Sequence, residues 1–433
     1  MTDPLFTKVP TELDFPKEER EILALWRDIG VFEKSLERTA TAKPWVFYEG
    51  PPTANGLPHN GHVLTRVVKD LFPRYKTMRG FHVPRKAGWD THGLPVEVEV
   101  EKELHIHGKA AIDAYGIEPF VKKCIASVFR YTKEWEELTE RVGFWVDLDK
   151  AYVTFHKSYV ESVWWALSNL FKKGLLYQGH KVVWWWAQGG TALSSGEVGQ
   201  GYKEVDDPSV YVTFPLRAGA AAVNAALEGA ELLVWTTTPW TLPSNMYAAV
   251  NASFTYVVCE LGGKKLVLAE GLLEGFAKKL KIEEPVVVLA KVTGKDLVGL
   301  AYAPPFDLFA KDAEGQAPVW KVLAADFVTL DAGTGIVHVA PAFGEDDHQA
   351  HRKLLAEYKD LPLFCAVNPD GTFVPELTAW AGRWVKDCDK EISQDLKARG
   401  LMVFQETYRH DYPFCWRADT DPLIQYALSL IHI

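Results

Sequence analysis

The chain has 433 residues, 48% hydrophobic and 24% charged. That is a globular composition with length for roughly two to four domains, and it excludes collagenous, coiled-coil and disordered chains. Lys and Arg number 47 against 57 Asp and Glu, a formal charge of −10, which excludes an overall basic nucleic-acid coat but not a local basic face. No uncharged apolar stretch reaches the ~20 residues of a membrane span, and the first residues lack a basic-then-apolar leader. Five cysteines without a CxxC pair argue against a disulfide framework. A cytoplasmic protein with no membrane partner is expected.

Residues 17–34 place Ile22, Leu25, Trp26 and Ile29 at helical spacing, an amphipathic helix docked on the next domain. Trp45 to Tyr48 reads as a short buried strand, and Gly50-Pro51-Pro52-Thr53-Ala54-Asn55-Gly56 as a tight loop. From His59 to Met78 the stripe Val63, Leu64, Val67, Val68, Leu71, Phe72 and Tyr75 predicts a helix. A second strand is expected around Phe81–Ala87, ending at Gly88-Trp89-Asp90. Strand, helix and strand in about 45 residues make a βαβ unit and hence a parallel sheet. Residues 110–180 read as mostly helical. Beyond Glu204-Val205-Asp206-Asp207-Pro208 come short strands, among them Val210–Phe214, Leu232–Thr236, Tyr256–Leu261 and Lys265–Ala269. Ala218–Ala226 reads as a surface loop or short helix. The boundaries expected are 1–44 for an N-terminal helical segment, 45–199 for half of a nucleotide-binding fold, 200–404 for a β-rich insert, and 405–433 for the return.

His59-Asn60-Gly61-His62 follows a strand and a Gly-rich loop and opens a helix. Backbone N–H groups and the helix dipole there suit a triphosphate. Two histidines three apart share one side of the helix and could stabilise charge developing on a phosphate. Gly61 lets a flat base approach the backbone. The chain has no GxxxxGK[ST], so this is not a P-loop.

GPPTANGLPHNGH (50–62) with GWDTHGLPVE (88–97) resembles the class I aminoacyl-tRNA synthetases, the isoleucyl group in particular. The resemblance runs from about residue 12 to about 428. It implies an α/β fold: the first half of a Rossmann-like parallel nucleotide-binding fold, interrupted by a large β-rich editing domain. It further implies that His59, Gly61 and His62 bind ATP and stabilise adenylation, that Gly50 and Pro51 floor the isoleucyl-adenylate pocket, and that Asp90 takes the α-ammonium. ATP with Mg²⁺, isoleucine and tRNA(Ile) would be the substrates of a monomer. Shorter nucleotidyltransferases with HxGH lack the insert, and a non-enzymatic tRNA-binding module would have no hydrolysis to lose.

In the insert, Trp235-Thr236-Thr237-Thr238-Pro239-Trp240 is too polar for a simple core strand, and a Gly-rich strand, Gly333 to His338, runs into the acidic turn Glu345-Asp346-Asp347. By the resemblance these are two walls of an editing pocket. Thr237 and Thr238 would hold the water or ester, Trp240, Asn245 and His338 would line the pocket, and Asp347 would take the ammonium of a misattached amino acid. Asp346 is the neighbouring alternative for that carboxylate. Valine against isoleucine is the standard illustration of why editing is needed, since one methylene is worth only ~1–3 kcal/mol of discrimination.

The sequence departs from the family in two places. Where some relatives carry paired cysteines for zinc, this chain has Trp186, Gly189 and Ala418 beside Cys415, so no zinc is expected and aromatic packing around Trp184–Trp186 and Trp416 would hold the hairpin. No KMSKS loop is present after the insert, and Leu428-Ser429-Leu430-Ile431-His432-Ile433 reads as an artefactual tail on a truncated chain. On that expectation adenylation by this polypeptide alone is poor, and an editing deacylase alone is the alternative.

Overall fold

Asp14 accepts the amide of Lys17, and Pro16 sits in the first turn, so helix α1 (Phe15–Ile29) begins there. The computed structural model describes residues 12–315, 318–416, 418 and 420–433, in two units divided after Leu176. The N-terminal expectations on residues 1–11 lie outside the described residues. Gly30, at φ 58°, takes the left-handed conformation and splits the predicted 17–34 helix into α1 and α2 (Val31–Arg38). Trp26 docks edge-on against Trp145 at 5.2 Å, but Ile22, Leu25 and Ile29 stay exposed.

The first unit continues with α3 (Asn60–Met78), β1 (Lys86–Trp89), α4 (Leu94–Leu104), α5 (Lys109–Tyr115), α6 (Ile117–Ser127), α7 (Thr132–Arg141), β2 (Asp147–Val153) and α8 (Lys157–Lys172). β1 and β2 are parallel. On the other side of β1, the segment from Pro44 to Thr53 also runs parallel, bridged at Pro44–His82 and Thr53–Asp90. With α3 between, this is the expected βαβ unit.

Trp45–Tyr48 is extended but not a buried strand. Side chains alternate along it, and the face carrying Val46 and Tyr48 is in solvent, Tyr48 at 89% exposure. The second strand starts at Lys86, later than the sequence suggested. Residues 110–180 also contain β2, whose polar Asp147, Asp149 and Lys150 hide a strand made by pairing with β1. The stripe of α3 marks the helix but not its buried face: Leu64, Val67, Val68, Leu71, Phe72 and Tyr75 are exposed, while Arg66 and Pro73 are buried.

The second unit contains β3 (Tyr177–Trp186), β4 (Thr191–Ala192), α9 (Ser195–Val198), β5 (Tyr202–Pro215), β6 (Glu231–Thr236), β7 (Tyr247–Val250), β8 (Thr255–Leu261) and β9 (Lys264–Ala269). It goes on through α10 (Glu270–Lys279), β10 (Val287–Thr293), α11 (Gly294–Leu297), α12 (Ala310–Ala313), β11 (Lys321–Ala324), β12 (Ile336–Val339), α13 (Glu345–Leu354), α14 (Asp389–Ala398), β13 (Met402–Pro413) and β14 (Ile424–His432). The alanine-rich stretch forms two 3₁₀ turns, Ala220–Ala222 and Ala225–Leu227. A third 3₁₀ turn spans Pro239–Ser244.

Nine strands, β5 to β13, form one mixed sheet. Within it β6 pairs antiparallel with β5, while its other edge is shared by β9 at Glu231–Leu232 and β12 at Trp235. β13 lies antiparallel to β5, from Met402 opposite Val212 to Pro413 opposite Tyr202. The turn into β12 demands glycine: at Gly335, φ 73°, a Cβ would sit 2.4 Å from that of Ala269. A separate sheet pairs β3 with β4 and β14. Among the described residues no helix is long and apolar enough to cross a membrane.

Candidate functional site

His59 caps α3, and the two histidines form a reciprocal capping box. Nδ1 of His59 accepts the Gly61 amide at 3.1 Å, and Nδ1 of His62 accepts the His59 amide at 3.1 Å. Their rings lie 3.7 Å apart. This changes the expectation for an anion. The His59 and Gly61 amides are taken by the imidazoles, and with Nδ1 accepting, the ring protons sit on Nε2 as further N–H donors for a phosphate. Burial, with His59, Arg66 and Lys69 nearby, lowers the pKa of His62 and favours that neutral form.

Residues the sequence reading passed over position this end of α3. Lys69 donates to Oε1 of Glu49 (2.8 Å) and to the Gly50 carbonyl (2.6 Å), tying the Gly50-Pro51 loop to the helix. Arg66 lies over the Trp135 ring at 4.6 Å, Trp135 donates to the Gly56 carbonyl at 2.7 Å, and His62 packs edge-on against the same indole. The signal was available, because His62, Arg66 and Lys69 follow i, i+4, i+7 spacing. Asp90 ends β1: its backbone bonds Pro52 and Ala54, and its half-buried carboxylate has no side-chain partner among the described residues.

In the second unit a polar chain runs through the core. Thr238 Oγ1 lies 3.2 Å from both Thr236 and Thr241. Thr241 donates to the Thr238 carbonyl at 2.8 Å and meets His338 Nε2 at 3.0 Å. Asn245 donates to His338 Nδ1 at 2.8 Å and to the Tyr247 carbonyl, and accepts from the Tyr302 hydroxyl at 2.7 Å. An amide donating to Nδ1 leaves the ring proton on Nε2, so His338 donates to Thr241. Burial drives the His338 pKa down to about 3. The ring is therefore a fixed neutral donor and not a proton shuttle.

Asp347 stands in the first turn of α13, and its Oδ2 accepts the Ala340 amide at 2.8 Å. Ala340 directly follows β12, two residues after His338. Burial raises the Asp347 carboxyl to about 6, so it is mostly ionised at neutral pH. Asp346 is exposed. Thr237 keeps a half-buried hydroxyl with no hydrogen bond among the described residues. Trp240 is buried edge-on to Phe343 at 5.0 Å, and its indole nitrogen has no hydrogen-bond partner among the described residues. The sequence reading missed Thr241 and Tyr302, which complete this chain.

Among the described residues no three His, Cys, Asp or Glu side chains could hold a metal together. The β3 hairpin has polar anchors beside its aromatic packing: Trp186 donates to Asp421 at 2.8 Å, and Trp185 donates to the Pro369 carbonyl. A Cβ on Gly189 would meet the Trp186 ring at 2.1 Å.

Residues 21–412 match the family described as tRNA synthetases class I (I, L, M and V). Proteins named isoleucine–tRNA ligase are similar to this chain at 48% identity in Clostridium kluyveri and 49% in Thermus thermophilus, each over 96% of this chain and 38% of the relative. The Streptomyces coelicolor protein of that name is 48% identical over 99% of this chain and 39% of its own. The chain thus spans less than two fifths of these three relatives. A solved leucyl-tRNA synthetase editing domain from P. knowlesi aligns with 48% of this chain and 98% of its own at 14% identity, with a TM-score of 0.34, too low to bear on the fold. The chain belongs to the class I tRNA synthetases of the I, L, M and V group.

Proposed function

We propose that this chain is the N-terminal part of an isoleucine–tRNA ligase, with an adenylation half-site in the first unit and a hydrolytic editing site in the second. Residues 200–404 would be the editing insert, bracketed by the antiparallel pairing of β5 with β13. In the half-site, the Nε2–H groups of His59 and His62 would face the phosphates of ATP. Gly61 would leave room for the base, Gly50 and Pro51 would floor the adenylate, and Asp90 would pair with the ammonium of isoleucine. Mg²⁺ would enter with the phosphates of ATP.

In the editing site, Asp347 would pair with the ammonium of a valyl ester on tRNA(Ile). Thr237 and Thr238 would order the water and the ester, while His338, locked by Asn245, holds Thr241 and lines the pocket with Trp240. The observation that carries this reading is the bond from Asp347 to Ala340. It holds the Asp347 carboxylate on the amide of Ala340, which lies two residues along the chain from His338, whose ring bonds Thr241. The cytoplasm and a monomeric state complete the proposal. A narrower reading, deacylation alone, draws on a contrast: the polar chain of the second unit is closed, whereas His59 and the Asp90 carboxylate are open.

The test is hydrolysis of Val-tRNA(Ile) beside an Ile-tRNA(Ile) control. The chain should cleave the valyl ester selectively, and Asp347→Ala should lose roughly 10–100-fold, the worth of one charge-assisted bond. Equal cleavage of both esters, or an unaffected variant, would remove the assignment.

A further inference from the structure

Helix α14 opens on Asp389, whose side chain is buried and whose Oδ1 accepts the backbone N–H of Trp240 at 3.0 Å. Trp240 lies in the Pro239–Ser244 turn, between Thr238 and the Thr241 that reaches His338. Its ring meets Phe343, on the segment leading to Asp347. One backbone amide therefore stands where the two walls of the site join, and a third element grips it.

The surroundings make this grip specific. Lys386, on the 3₁₀ turn before α14, is committed to Asp207 of β5 at 2.8 Å and covers the Tyr412 ring at 3.7 Å. His410 of β13 also reaches Asp207, at 3.2 Å. Asp389 has no ion-pair partner among the described residues, and the Trp240 amide is its side chain's hydrogen-bond partner there. Burying a carboxyl without a cation is costly, more than capping one amide requires. Burial accordingly pushes this carboxyl up to about 8, against the pull of Lys386.

We propose that Asp389 is a positioning residue for hydrolysis: by holding the Trp240 amide it fixes the Pro239–Ser244 turn, and with it Thr238 and Thr241, against His338 and Phe343. The inference rests on the reading of the second unit as a deacylase. Asp389 touches no substrate; its effect is on the register of the residues that do.

The experiment measures kcat and KM for Val-tRNA(Ile) hydrolysis by the full chain, Asp389→Asn and Asp389→Leu, at a temperature where circular dichroism shows each folded. Asparagine keeps an oxygen for the Trp240 amide, so its kcat should stay within about 3-fold of the unaltered chain. Leucine removes the acceptor, and kcat should fall by about 10-fold or more with KM little changed, as a small misplacement of reacting groups does. Should the leucine variant not fold, Asp389→Ala removes the acceptor without added bulk and carries the same expectation. A folded leucine or alanine variant with normal kcat overturns the inference, as does an asparagine variant that loses as much as leucine. If the unaltered chain hydrolyses nothing, the deacylase reading itself falls, an outcome separate from these.

Discussion

The two candidate sites place histidines in opposite settings. His59 and His62 lie at a helix start open to solvent. They spend their Nδ1 atoms on the backbone, and Nε2 forms no hydrogen bond among the described residues. His338 is sealed in a core where both nitrogens are bonded and burial holds it neutral far below its ordinary range. The first arrangement leaves one ring nitrogen of each histidine unbonded. The second commits both ring nitrogens to neighbouring side chains, Thr241 and Asn245. The teaching is that one side-chain type serves as ligand donor or scaffold according to where its second nitrogen is spent.

The largest effect should come from opening the closed network. Asn245→Leu leaves His338 Nδ1 and the Tyr302 hydroxyl buried without partners, and should cost about 3–4 kcal/mol in denaturant unfolding of the second unit. A loss no larger than a surface change would dissolve the contrast.

In the first unit the closest counterpart is the Lys69–Glu49 pair, with Glu49 almost fully buried. Lys69→Met strands that carboxylate and releases the Gly50 loop. It should cost about 2–3 kcal/mol, below the full penalty of a buried pair because Lys69 is partly solvated. Hydrogen exchange should localise the loss to the Gly50 loop and α3.

Stability against pH sharpens the comparison further. Asp389 keeps its proton in the fold up to about 8 but loses it near 3.9 when unfolded, so its contribution is full below pH ~4 and is lost as pH rises to 8. Asp347, at about 6, acts in the same direction over a lower window. His338 and His351, lowered to about 3 and about 4, oppose them by costing stability below pH ~6.5. Between pH 6.5 and 8 the Asp389 slope dominates, with Lys386, Asp207, His410 and Tyr412 around it. Asp389→Asn should therefore gain about 1–2 kcal/mol on the unaltered chain over that interval. Parallel melting curves across it would refute the burial argument.

The smallest change is expected at the open site. His59→Ala removes a helix cap in solvent and should cost about 1 kcal/mol in the first unit, with the second unit's hydrogen exchange unmoved.

The sequence exposed local features well. The loop 50–56, the helix start at His59, the strands β6, β8 and β9 and the glycines before β12 were legible because turn residues, helical periodicity and β-branched runs act over a few residues. The family motifs singled out His59, Asp90, Thr238 and Asp347 as candidate site residues. Hidden from a linear reading were β2, a strand by pairing with β1; Trp135, which bonds a loop 79 positions away; and Asp389, 149 positions from the amide it holds.

By itself the sequence determined which chemical groups the chain owns, where helices and turns begin, and the family to which it belongs, because motif spacing and backbone preference are short-range. Tertiary structure alone decided which face of α3 is buried, which nitrogen of each histidine is spent, and which carboxyls stay protonated. Those properties depend on who the neighbours are and how much water is excluded, and desolvation is a property of the packed environment that no segment carries on its own.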